Sequence, residues 1–185
     1  MNSPSEHDLS KSEESPLNEF SGCHEGIIQN FNQLKELVDL HEKTPGAEKI
    51  KPLAKKLLSF FDEVVIQHHS EEEQELFTIV MDCASKGEEA DTARNYIKQL
   101  VAEHRQLEKM WKQIEGDIRR LSKGKRTSLD NDLALKLAKE YLEHAKFEEE
   151  YFLPLSAKIL SKNDLSALGL SLHIRHMDPP THFYI

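Results

Sequence analysis

Little in this sequence can turn sharply, cross-link or cross a membrane. Its 185 residues include only 7 glycines, 7 prolines and 2 cysteines. Two cysteines, Cys23 and Cys83, make no disulfide framework for a chain this long. Apolar runs all fall short of the roughly 18–20 residues that a spanning helix needs. Positive charge is also scarce, with 24 Lys and Arg against 33 Asp and Glu and a net charge of −9. That balance argues against nucleic acid or an anionic membrane as the main partner. The chain opens on Met-Asn-Ser-Pro-Ser-Glu-His rather than on a basic-apolar leader, so a cytoplasmic location is expected. What remains is helix-forming material rich in Leu, Lys, Glu, Ala and Gln. It comes with a surplus of 10 histidines, the side chain most often used to hold metals.

Residues 1–16 are polar with little to bury and read as a disordered tail. Four amphipathic stretches follow over residues 17–162, at about Phe20–His41, Glu48–Cys83, Ala90–Leu121 and from Ser128 to about Leu160. The breaks between them are short and polar: Lys43-Thr44-Pro45-Gly46, Ser85-Lys86-Gly87 and Ser122-Lys123-Gly124-Lys125. Ser128 is the expected N-cap of the fourth stretch, and Pro154 is expected to kink it or end its regular part. Leu165, Leu168 and Leu172 suggest a short extra helix within residues 163–185. Long helices joined by short breaks imply antiparallel neighbours, hence an all-α, up-down-up-down four-helix bundle.

Each helix has an apolar stripe at the 3–4 spacing, and each stripe is interrupted by histidine. The stripes read Phe20, His24, Ile27, Phe31; Phe61, Val64, His68, Glu72, Leu76; Leu100, His104, Leu107, Trp111; and Tyr141, His144, Glu148, Phe152. Height along the bundle brings these donors together. His24 lies roughly 20 residues before the first break and His68 roughly 20 after it, so both stand about 30 Å from that end. Glu72, His104, His144 and Glu148 fall at the same level, within a turn or so, across the other breaks.

Two buried carboxylates facing four imidazoles are hard to explain as packing, because an unpaired buried carboxylate costs several kcal/mol or keeps its proton. A multivalent centre removes the difficulty. The i, i+4 spacing of His68 with Glu72, and of His144 with Glu148, lets one helix face offer an imidazole and a carboxylate together. Four imidazoles, two bridging carboxylates and a solvent-derived bridge give each of two ions five donors. Such ligation suits non-haem iron, with zinc or manganese as possible substitutes. Ferritin-like bundles use Glu-x-x-His pairs instead, and here no Glu stands three residues before any histidine.

These residues bring the sequence close to a known family: from about Glu19 to Leu160 it resembles the hemerythrin-like, or HHE cation-binding, domains. The paired family signature is a His followed by Glu-Glu and a bulky apolar pair. It occurs as His68-His69-Ser70-Glu71-Glu72-Glu73-Gln74-Glu75-Leu76-Phe77 and as His144-Ala145-Lys146-Phe147-Glu148-Glu149-Glu150-Tyr151-Phe152-Leu153-Pro154. Cys23-His24-Glu25 and Ala102-Glu103-His104 match the first- and third-helix motifs. The resemblance implies metal ligands His24, His68, His104 and His144, with Glu72 and Glu148 bridging two iron ions that carry an oxo or hydroxo bridge. His69 is the nearest rival to His68 but leaves the stripe by about 100°. Glu73 and Glu149 sit off-axis, behind the ligands or at the surface. Oxygen-carrying hemerythrins use a fifth histidine one turn before the third-helix ligand. Leu100 stands at that position here, which argues against reversible oxygen carriage and leaves both metals potentially open. Open coordination, with no substrate-sized polar motif, leads to the expectation of a protein that binds or senses a small diatomic ligand such as O₂ or NO, or iron itself. The resemblance implies the alternative, iron–sulfur cluster repair or other di-iron redox activity.

Overall fold

The computed structural model describes residues 15–177 and contains no strand among them. Five helices follow one another. Helix α1 is Pro16–Lys43, opened by a proline in its first turn, where the missing N–H removes no helical hydrogen bond. Helix α2 covers residues 50–83 as three α-helical segments joined by π-helical turns at Phe61–Val65 and Glu72–Leu76. Helix α3 is Glu88–Ser122, 35 residues long. Helix α4 covers residues 131–159 with a π-helical turn at Glu148–Phe152, and helix α5 is Lys162–Met177. Connections turn on glycines in the left-handed region, with Gly46 at φ 91° and Gly87 at φ 103°.

Helix α1 packs on α2 and α4, and α3 packs on the same two. Ring contacts pair Phe31 with Phe60 and Phe61, and His24 with His68, so α1 and α2 run in opposite senses. Trp111 stacks on Phe61 at 4.1 Å, and His104 stacks on His69 further along, which sets α3 antiparallel to α2. Beyond the four expected helices, α5 packs against α1 and lays Leu168 and Leu172 into the core, each 2% exposed.

Several local expectations change. The fourth helix is capped by Asp130, whose carboxylate accepts the Leu133 N–H at 3.0 Å, rather than by Ser128. The regular α-helix ends at Phe147 in the π-turn just before Pro154, and helical backbone continues past the proline to Ile159. The wide turn directly before it displaces the carbonyl that a proline ring would otherwise strike. Val64, read as a stripe residue, is 38% exposed while Val65 is buried. The extra residue of the π-turn at Phe61–Val65 rotates the stripe by one position. Residues 1–14 of the expected tail, His7 among them, lie outside the described residues, while Pro16 already begins α1.

The core is divided in two. One apolar cluster, including Ile27, Phe31, Phe61, Trp111 and Tyr141, fills the end near the α1–α2 connection. The other, including Phe20, Leu76, Phe77, Leu100 and Phe152, fills the opposite end. Buried histidines and glutamates lie between them.

Candidate metal centre

Four helices contribute to that dividing layer: His24 from α1, His68 and Glu72 from α2, His104 from α3, and His144 and Glu148 from α4. None of the six is more than 2% exposed. Glu72 reaches three helices. Its Oε1 lies 3.1 Å from His68 Nε2 and 3.7 Å from His24 Nε2, and its Oε2 lies 3.3 Å from His104 Nε2. Glu148 Oε2 lies 2.7 Å from His24 Nε2 and 3.7 Å from His144 Nε2. Donor atoms within 4.8 Å of one another form two overlapping sets. One comprises His24, His68, Glu72 and Glu148; the other comprises Glu72, His104, His144 and Glu148. The two carboxylates are common to both, as bridging would require.

Local backbone serves this arrangement. Glu72 and Glu148 are each the first residue of a π-turn. The widened turn lets α2 bury Leu76 together with Phe77, and α4 bury Phe152 together with Leu153, directly beyond the glutamates. Such turns often occur at functional sites because they re-aim side chains without breaking the helix.

A second tier of carboxylates holds the imidazoles. The Nδ1–H of His24 donates to Glu149 at 2.7 Å, that of His104 to Glu73 at 2.8 Å, and that of His144 to Glu103 at 2.9 Å. An ionised carboxylate only accepts, so each bond places the proton on Nδ1 and leaves the Nε2 lone pair facing inward. The sequence places Glu73 and Glu149 off-axis, behind the ligands or at the surface, and the structure puts both on imidazoles. It did not anticipate Glu103, although that residue sits inside the Ala102-Glu103-His104 motif. Nor did it place His69 in the layer, where it is 1% exposed.

Most inward-facing atoms are unsatisfied. The Nε2 atoms of His68, His104 and His144, Glu72 Oε2 and Glu148 Oε1 are buried without a hydrogen-bond partner among the described residues, and His24 Nε2 faces Glu148 Oε2 at 2.7 Å. Each such atom costs about 1–3 kcal/mol if left bare. Protons cannot settle the layer evenly. Burial opposes charge on His24, yet Glu148 and Glu72 outweigh it and hold its pKa up to about 11. Burial and the neighbouring Glu148 push Glu72 up to about 8. Burial and the surrounding imidazoles depress His68 and His104. Neutral nitrogen lone pairs and paired carboxylates converging in a dry layer are a donor set that fits divalent or trivalent cations.

A family model for the hemerythrin HHE cation-binding domain matches residues 15–156. The chain belongs to that family. It is also 23% identical over 160 residues to an uncharacterized protein of Haemophilus influenzae, a match covering 86% of this chain and 89% of that one. As a hemerythrin HHE domain the chain is a cation-binding protein, and its buried His/Glu layer is the group of side chains able to hold the cations.

The other candidates stand apart from the layer. Cys23 is exposed beside His24, and Cys83 is half-buried. His41 donates from Nε2 to the Thr127 carbonyl at 3.0 Å, near the far end of α1. His173 is exposed, and the side chains of His176 and His182 lie outside the described residues. A recess of ≈ 380 Å³ between α3 and α4, lined by Glu103, Glu140, Glu143 and His144 among others, leads from solvent to the edge of the layer. The larger recess, ≈ 690 Å³ around His41, Lys51 and Arg126, contains none of the clustered donors. None of the helices among the described residues is long and apolar enough to cross a membrane.

Proposed function

We propose that the first four helices form an up-down-up-down bundle, over residues 17–162, that holds two iron ions with an oxo or hydroxo bridge. In this reading His24, His68, His104 and His144 are terminal ligands, Glu72 and Glu148 bridge, and a small diatomic ligand such as O₂ or NO is bound or sensed, in a cytoplasmic setting. The observation that carries it is the convergence of unsatisfied Nε2 and carboxylate atoms between two apolar half-cores.

Bound iron would supply a redox-active Lewis acid with room for an added ligand. The residues of the chain do the rest. Glu149, Glu73 and Glu103 fix the tautomers of three imidazoles and strengthen them as donors. Leu100 and Phe77 on one side, and Tyr141 and Ile27 on the other, are buried and keep bulk water from the layer. Zinc or manganese would fit the same donors, so the metal must be identified by measurement.

Anaerobic reconstitution with ferrous iron followed by optical titration with O₂ and NO tests the reading. A spectrum that changes at stoichiometric gas is expected. A loaded protein whose spectrum ignores both gases overturns the ligand-binding part.

A further inference from the structure

His69 departs from the stripe followed by His68, yet both are buried to the same degree, 1% and 2% exposed. A helix can point two consecutive side chains inward only where its neighbours enclose it broadly, and the Ile66–Glu71 segment of α2 lies between two π-turns. The His69 ring stacks on His104, with centroids 3.9 Å apart and planes 6° from parallel, and stands 5.9 Å from the His144 ring. Its donor atom lies within 4.8 Å of those of His104 and His144.

Its hydrogen bonding repeats the pattern of the other inward histidines. Nδ1–H donates to Glu108 Oε1 at 3.1 Å, while Nε2 is buried with no hydrogen-bond partner among the described residues. Arg105 ties the arrangement together, pairing with Glu108 behind His69 and with Glu73 behind His104. His68, by contrast, has neither ring nitrogen hydrogen-bonded. A purely packing histidine at this place would need its second nitrogen satisfied, or an apolar residue would do better.

The geometry points to His69 as a fifth histidine ligand, which joins His104 and His144 on one cation and leaves His24 and His68 on the other. The proposal rests on the two-metal reading above and deepens it. Position 100 on α3 carries leucine, and the third imidazole for that cation comes from α2 instead. The centre is then unsymmetrical: three imidazoles and two shared carboxylates on one side, two imidazoles and the same carboxylates on the other.

Two measurements test this. In isotopically labelled wild-type protein loaded with cadmium, nitrogen–cadmium couplings should identify five coordinated imidazoles, His69 among them. In parallel, ferrous and zinc titrations are run on wild-type, His69→Phe and His69→Gln protein, with helicity checked by circular dichroism. His69→Phe keeps a ring against His104 and removes the nitrogen. Both variants should retain one tight cation and weaken the other on the order of 100-fold. Wild-type protein that binds two cations through four imidazoles, or His69→Phe that binds both as tightly as wild type, overturns the role of His69 and leaves the two-metal reading intact. Wild-type protein that takes up fewer than two cations overturns both.

Discussion

Glu72 ties three helices together, since its two oxygens face histidines from α1, α2 and α3. Replacing it removes an anionic donor from both donor sets at once. Glu72→Ala or Glu148→Ala should therefore lower metal content and melting temperature together, measured by elemental analysis and thermal unfolding. A loss of stability with unchanged metal stoichiometry would contradict bridging. The backing carboxylates act one bond further out. Glu149→Gln and Glu103→Gln should each keep the fold and weaken metal affinity by about 10–100-fold, read from competition with a chelating dye.

At the scale of the helix, the stripes were legible because 3–4 spacing survives in α1 and α3, which are regular from end to end. His24 and His104 could be placed from that spacing alone. In α2 and α4 the wide turns add a residue to the local period, which sequence cannot show. Val64 was consequently read as core in place of Val65, and His69 as lying off the stripe. Glu108 and Glu103 were invisible for another reason: they are half-exposed acids on a charged face, and only the neighbouring helix shows what they hold. The turns themselves can be tested. Deleting Gln74 from Glu72–Leu76 removes the extra residue and lets the stretch close into a regular α-turn, which re-aims Glu72 against the histidines of the neighbouring helices. Metal uptake should be lost while helical content by circular dichroism is largely kept. Full uptake by the deletion variant would show that the wide turn does not position the donors.

For the molecule as a whole, a polar layer between two apolar half-cores makes stability depend on what occupies the layer. The sign of the pH dependence should differ with and without metal. In chelated protein, Glu72 and His24 hold protons more tightly than in the unfolded chain, with pKa values raised to about 8 and about 11. His144 is raised in the same sense, burial being outweighed by Glu148 and Glu103. Folding stability from these groups is lost as pH rises. His68, His69 and His104 are depressed by burial and act oppositely, but only up to the ordinary histidine value of about 6.5. Metal-free protein should therefore lose stability as pH rises from about 6.5 to about 11. Metal-loaded protein should instead lose metal and stability as pH falls, because protons compete for the imidazoles. Melting curves across pH, with and without chelator, check both slopes. The central claim is that donors converging from four helices hold a pair of metal ions. Elemental analysis of anaerobically purified protein tests it most directly: the account predicts two iron ions per chain, and a folded protein that takes up no cation, even after reconstitution with iron, manganese or zinc, would contradict it.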